Sequence, residues 1–344
     1  MGNMGIRRYG IVIGELKTGR NNLITDVEGV KVGHVTLNKD RIKTGVTAIL
    51  PHEGNIFKEK VMASSHIING FGKTIGTIQI EELGNIETPI LLTNTLSVGA
   101  VSEGLIKYML SNNADIGDTT GTINPVVCEC NDGYLNDIRQ LAIKSNHALE
   151  SIENADVIFE EGAVGAGTGM SCYGLKGGIG SSSRIIELGD KEYTLGALVL
   201  SNFGRKKDLI INHREIGKEI CDLEEMEQID KGSIIIIIAT DIPLNERQLK
   251  RVSKRAVVGL ARTGSYVGNG SGDVVISFTT TNKINHYEEK HITSFGAINE
   301  EKMDLVFRAT AEAVEESVLN SMVYAETTEG RDGHKRFSIK DYLR

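Results

Sequence analysis

Proline is scarce here, four residues in a chain of 344. No linker rich in proline or serine interrupts the sequence, and no repeat, low-complexity tract or composition break appears, so one compact domain over residues 1–344 is expected. Cysteine is equally sparse. Cys128, Cys130, Cys172 and Cys221 show no paired metal-ligand spacing, which points to buried free thiols in a reducing cytosol. Basic residues are outnumbered, 38 Lys and Arg against 46 Asp and Glu for a net charge of -8, and no basic stripe is present to neutralise phosphates. Nucleic acid is therefore not expected as a partner. No apolar run approaches the roughly 18 residues of a membrane span. The first residues lack an apolar signal core, and Ile6 stands where myristoylation needs Ser or Thr. A cytoplasmic protein without membrane contact is the expectation.

Several chemical signatures are missing too. No Gly-x-x-x-x-Gly-Lys-Ser/Thr phosphate loop, no His-Glu-x-x-His zinc motif and no Gly-x-Ser-x-Gly nucleophile elbow occurs, and the eight histidines are scattered. Neither a metal nor an organic cofactor is expected. Gly165-x-Gly167-x-Gly169 resembles a dinucleotide loop at first sight, but its third glycine falls one residue early and no helix or acidic ribose ligand follows in register.

Glycine, by contrast, is abundant at 39 residues, as expected of tight turns and close backbone approaches. Between the glycines the chain reads as short strands at 30–37, 46–50, 155–159, 193–201 and 274–278. Helical spacing appears at 97–110, again from Leu135 through Leu149, at 245–260 behind an Asn245/Gln248 capping box, and at 303–324. These helices are too few and too far apart for strict βαβ alternation. Sheets covered by helices on their outer faces are expected.

The most apolar stretch is Ile234 to Ile238, five consecutive isoleucines preceded by Gly232-Ser233. Such a run can be buried on both faces and belongs at the centre of a sheet. Ser233, at the start of that strand, is the candidate nucleophile. A serine hydroxyl needs an adjacent base, and one solution is to make the residue the first of its chain, so that its own α-amine, with a pKa of about 7.7 to 8.0, stands beside it. That demands a backbone break between Gly232 and Ser233, where glycine lets the hydroxyl approach the preceding carbonyl. Gly-Ser ahead of a strand also reads as a plain turn, and both readings stay open on these residues alone.

Longer blocks of sequence bear on that choice. Val127-Cys-Glu-Cys-Asn-Asp-Gly-Tyr-Leu-Asn-Asp137, Lys176-Gly-Gly-Ile-Gly180, Ser201-Asn-Phe-Gly204, Gly232-Ser233, Ala239-Thr-Asp-Ile-Pro-Leu244 and Gly270-Ser-Gly-Asp273, with residues 22–34, 89–99, 165–170 and 307–310, resemble in order the P1 (S58-type) peptidases. That family comprises L-aminopeptidase/D-amino acid esterase-amidases and β-peptidyl aminopeptidases. The resemblance implies an α/β fold, a four-layer αββα sandwich with a self-processing, N-terminal-nucleophile-like architecture. It implies a precursor that cleaves itself between Gly232 and Ser233 into an α chain, residues 1–232, and a β chain, residues 233–344, assembled as a homo-oligomer of such pairs.

The same resemblance gives the site residues their roles. Ser233 would be the nucleophile for self-cleavage and turnover, Ser271 and Asp273 a hydrogen-bond relay to its hydroxyl, and Asn202 an oxyanion donor. Glu129 and Tyr134 would line the subsite for the substrate's ammonium group. The implied activity is that of a serine aminopeptidase/amidase releasing N-terminal amino acids from small peptides, amides or esters through an acyl-enzyme, with no cofactor. Alternatives are an acetyltransferase of the related ornithine acetyltransferase type, which uses a threonine nucleophile, and an uncleaved, non-catalytic binding protein. Cys128 in place of a small glycine, Lys73 within a stretch that more often carries an acid, and Ser181 in place of threonine bear on substrate preference and leave the nucleophile strand untouched.

Overall fold

The computed structural model describes residues 4–221 and 232–343. The N-terminal half supplies β1 (Lys31–Lys39), β2 (Ile42–Leu50), β3 (Glu59–Gly70), α1 (Thr77–Leu83), β4 (Asn85–Ile86), β5 (Ile90–Asn94), α2 (Val98–Asn112), β6 (Val126–Cys130) and α3 (Ser145–Glu153). There follow β7 (Ser171–Cys172), β8 (Leu175–Lys176), β9 (Ile179–Leu188), β10 (Lys191–Asn202) and α4 (Ile216–Ile220). The C-terminal part contributes β11 (Ser233–Thr240), α5 (Glu246–Ser253), α6 (Ala256–Arg262), β12 (Gly272–Asn285), α7 (Met303–Val323), β13 (Thr328–Glu329) and β14 (Lys335–Arg336).

Two sheets carry the fold, one in the order β1-β2-β5-β6 and the other in the order β4-β3-β12-β11-β10-β9. The isoleucine run is β11, which pairs antiparallel with β10 and parallel with β12. All eight of its residues are buried. Successive strand side chains point to opposite faces, so Ile235 and Ile237 enter one apolar core and Ile234, Ile236 and Ile238 the other. The first core holds residues of both sheets together with α2 and α3, and the second packs the far face of the larger sheet on α5, α6 and α7. The layers run helix, sheet, sheet, helix, which is the αββα sandwich.

Polar residues inside α7 have a specific cause. Arg184, on β9, is fully buried, and its guanidinium meets Glu312 at 3.1 Å and Glu316 at 2.7 Å. Glu316 also takes Arg7 at 2.7 Å and the Asn22 amide at 2.7 Å. Burial alone would lift the Glu316 carboxyl, but its bonds to Arg7, Arg184 and Asn22 outweigh that and hold it below the usual range. This cluster ties the N-terminal segment to the helix and to the sheet beneath it.

Three expected elements differ. The helix expected from Leu135 starts only at Ser145, because the chain first makes a short 3-10 turn at Ile138–Gln140 and then a left-handed Leu141 at φ 47°. Residues 155–159 form no strand and meet β1 through a bridge between Val32 and Asp156 and the ring of Phe159 against His34. The capping box at Asn245 and Gln248 is present, but the helix behind it breaks into α5 and α6 at Lys254 and Arg255.

Candidate active site

Three strand ends converge where β11 begins. Ser233 lies opposite Asn202, the last residue of β10, while Ile234 lies beside Asp273 near the start of β12. The parallel β11–β12 pair brings both N-terminal ends to one place, so a residue starting β11 meets the loop that enters β12. Gly232 marks how tight this junction is: an added Cβ would lie 2.1 Å from the carbonyl oxygen of Asn202 and 2.3 Å from the Cα of Phe203. Only glycine passes there without displacing the neighbouring strand.

The Ser233 hydroxyl oxygen accepts a hydrogen bond from the Gly272 amide at 3.1 Å. Gly272 stands between Ser271 and Asp273, and these two are themselves joined, Ser271 Oγ donating to Asp273 Oδ2 at 2.6 Å. The other oxygen, Asp273 Oδ1, accepts from the amide of Ile234 at 3.2 Å. Thus one carboxylate clasps both the serine beside it and the backbone just after the candidate nucleophile. Asn69 on β3 secures the entering loop from the far side, its amide donating to the carbonyls of Gly268 at 2.9 Å and Ser271 at 2.8 Å.

The amide of Asn202 is oriented by its partners. Its Oδ1 accepts from the Ser171 backbone at 2.9 Å, and its Nδ2 donates to the Asn131 carbonyl at 3.0 Å. A backbone N–H can only donate, so Oδ1 must face Ser171, which leaves the second Nδ2 hydrogen for another acceptor. Ser171 is held in turn by Arg336, whose Nε donates to Ser171 Oγ at 3.1 Å. The loop carrying Ser171 is tied together by the fully buried Lys176, whose Nζ donates to the carbonyls of Gly167, Met170 and Gly177 at 3.0, 2.9 and 2.6 Å. Burial pulls the Lys176 ammonium down to about 7 and pushes the buried Asp132 carboxyl up to about 7.

Glu129, near the end of β6, is buried with both carboxylate oxygens engaged: Oε1 accepts from the Lys73 backbone at 2.8 Å and Oε2 from the Thr95 hydroxyl. The loop between them and the nucleophile is thin. A Cβ on Gly72 would sit 3.7 Å from both Glu129 Oε1 and the Cα of Gly272. Tyr134 is placed differently. Its ring, 40% exposed, stacks on His334 at 4.6 Å and carries the Arg336 guanidinium at 3.6 Å from its centroid. Ser233, Ser271, Asp273 and Asn202 therefore meet in one place, Glu129 stands next to them behind Gly72, and Tyr134 belongs with the C-terminal hairpin.

Sequence reasoning missed the Gly272 amide, Asn69, Ser171, Thr95 and Arg336. Gly272 lies inside the Ser-Gly-Asp motif and Thr95 inside the block 89–99, so those two carried a signal; the others come from segments joined only by the fold. Among the described residues no group of His, Cys, Asp and Glu is arranged to hold a metal ion, and no helix is long and apolar enough to cross a membrane.

The chain is similar to known proteins over nearly its whole length. Residues 22–336 match peptidase family S58. The beta-peptidyl aminopeptidase BapA of Sphingosinicella microcystinivorans is 37% identical, over 92% of this chain and 85% of that protein. The crystal structure of the PH0078 protein from Pyrococcus horikoshii OT3 superposes with a TM-score of 0.95 at 55% identity, covering 99% of this chain and 98% of the other. The L-aminopeptidase D-Ala-esterase/amidase from Ochrobactrum anthropi, described as a prototype for the serine aminopeptidases and a new variant among the Ntn hydrolase fold, superposes with a TM-score of 0.93 at 34% identity, covering 99% and 97%. With the family matched over most of its length and relatives this similar, the chain belongs to peptidase family S58.

Proposed function

We propose that this chain is a self-processing serine aminopeptidase and amidase whose nucleophile is Ser233. The observation that carries the reading is the Ser233 hydroxyl at the head of β11, with the Gly272 amide donating to it and Asn202 paired across the strand. In processing, Ser233 Oγ attacks the Gly232 carbonyl, the peptide C–N bond breaks as an ester forms, and the released α-amine takes the proton. Water then opens the ester, leaving residues 1–232 and 233–344 as separate chains and a free amine beside the hydroxyl.

Turnover repeats the chemistry on a substrate. The α-amine receives the proton of Ser233 Oγ as the oxygen attacks the carbonyl of an amino-acyl amide, ester or peptide, and the leaving amine or alcohol departs with a proton. Asn202 Nδ2 donates its second hydrogen to the oxyanion. Ser271 and Asp273 hold the amide of Gly272 and the backbone of Ile234 so that the hydroxyl stays aimed. Water finally attacks the acyl ester and releases the amino acid, and no cofactor takes part. Glu129 takes the substrate's ammonium group, and Tyr134, which packs on the C-terminal hairpin, lies farther out. The processed pairs assemble as a homo-oligomer in the cytoplasm.

A threonine-dependent acetyltransferase is disfavoured by the serine at position 233. Denaturing electrophoresis with intact-mass measurement tests the rest: two fragments divided before Ser233 and release of p-nitroaniline from amino-acyl p-nitroanilides are expected, both lost in Ser233→Ala. One uncleaved band with no turnover in the wild-type protein would instead support a silent binding protein. Processing or turnover surviving in Ser233→Ala would remove Ser233 from the role.

A further inference from the structure

The amide of Asn202 stands between two buried ionisable groups, and neither belongs to the reacting set. Its Oδ1 accepts from the Ser171 N–H at 2.9 Å, and the carbonyl of that same Met170–Ser171 peptide accepts from Lys176 Nζ at 2.9 Å. On the other side Nδ2 donates at 3.0 Å to the carbonyl of the Asn131–Asp132 peptide, which runs directly into Asp132. Three amide groups therefore follow one another head to tail, with an ammonium at one end and a carboxyl group at the other. Both end groups are fully buried.

Lys176 is held in the form this needs. Its Nζ donates to the carbonyls of Gly167, Met170 and Gly177, and three donated bonds require all three hydrogens of the ammonium. Asp132 is anchored as firmly. Asn136 donates to its Oδ1 at 3.0 Å, and its carbonyl accepts from the backbones of Leu135 and Asn136, which sets the direction of the preceding Asn131 carbonyl. The two loops touch, since a Cβ on Gly169 would lie 2.9 Å from Asp132 Cβ, and each group bears on the other's charge. Burying an ammonium is costly, and neutral side chains could tie a loop together. What a cation adds is polarisation. A hydrogen bond into the Met170 carbonyl strengthens the Ser171 N–H as a donor, and its bond into Oδ1 strengthens the amide hydrogens of Asn202 in turn.

Resting on the reading of Asn202 as oxyanion donor, we propose that Lys176 is a positioning residue for the reaction. It acts through the Met170–Ser171 peptide to orient Asn202 and strengthen its second N–H, with Asp132 as the counter-charge that holds the far end of the row of amides. Neither group touches a reacting atom or exchanges a proton during turnover. Their effect falls on the transition state, where charge gathers on the carbonyl oxygen, and not on ground-state binding.

The test is a double-variant cycle on processed protein with an amino-acyl p-nitroanilide as substrate. It compares wild type, Lys176→Met, Asp132→Asn and Asn202→Ala, and each of the first two variants combined with Asn202→Ala. Expected for Lys176→Met is a kcat lowered about 10- to 100-fold, the range for a group that orients a catalytic one, with KM little changed. Asp132→Asn keeps the size of the side chain and lowers kcat in the same direction; it decides alone should Lys176→Met fail to fold. In the Asn202→Ala background both losses vanish, because the group they act through is gone, whereas a merely structural role would cost the same with or without Asn202. Losses that persist in that background, that fall on KM alone, or that are missing from either folded variant overturn the proposal and leave the aminopeptidase reading intact. Asn202→Ala with a wild-type kcat overturns it together with the oxyanion assignment, and a wild-type protein without turnover overturns the reading of Ser233 as well.

Discussion

Small, local constraints hold the hydroxyl of the proposed nucleophile. Gly232 lets the chain pass where an added Cβ would lie only 2.1 Å from the Asn202 carbonyl oxygen, Gly272 offers an amide to Oγ, and Asp273 fixes the backbone after it. Asn202 is the residue whose removal isolates one of these effects. Its pairing with β11 is made by the backbone, so Asn202→Ala should fold with its strand pairing intact while losing the Nδ2 donor together with the Oδ1 acceptor of the Ser171 amide. We expect kcat to fall by about 10²- to 10³-fold with KM little changed, the range for removing one oxyanion donor. Steady-state kinetics on an amino-acyl p-nitroanilide checks it; a loss confined to KM would place Asn202 in substrate binding instead.

At the scale of the elements, stability rests on β11 and on the charged cluster under α7. The fully buried Glu316 joins Arg184 and Arg7, and Glu316→Ala would leave Arg184 buried in the core with Glu312 as its remaining carboxylate partner. Breaking one partner out of a buried pair costs about 3 to 5 kcal/mol, so chemical denaturation should show a midpoint lowered accordingly, with turnover by the remaining folded protein near that of wild type. How much of this was readable from sequence follows from the same elements. A strand buried on both faces needs no periodicity, and five isoleucines were enough to place β11 at the centre. The stretch from Leu135 satisfied helical spacing and still became a turn, because Leu135 is buried beside Gly330 in the C-terminal hairpin while Leu141 turns outward in a left-handed conformation. Spacing records which residues are apolar, and it does not record which distant segment will cover them. The site divides the same way. Ser233, Ser271, Asp273, Asn202 and Glu129 lie in blocks that resemble a family, whereas a main-chain donor such as Gly272 leaves no side-chain signal, and Arg336 reaches the mouth only through a hairpin more than a hundred residues downstream of Asn202.

For the molecule as a whole, one contribution to pH dependence comes from His34. Its ring is hydrogen-bonded to Thr47 and the Glu160 carbonyl, and burial lowers its pKa from 6.5 to about 4. At this ring the unfolded chain therefore binds a proton between pH 6.5 and 4 that the folded protein refuses, so its share of stability declines as pH falls through that window. Because the ring keeps some solvent contact, about 1 to 2 kcal/mol is expected from this residue, less than the full shift implies. Denaturation of wild type and His34→Gln at pH 7 and pH 4.5 isolates that share: the fall should be shallower in the variant, and equal falls would remove His34 as the cause.

The strand order has one more consequence. β11 and β12, which follow the proposed break, are sandwiched between β3 and β10, which precede it. Neither product owns the whole of the larger sheet, so each is the scaffold of the other there, and severing the polypeptide alters its connectivity while keeping every lateral partner in place. The two pieces should migrate as a single particle in gel filtration and come apart only when denatured; fragments that drift apart in native buffer would mean that the cut falls somewhere other than ahead of β11.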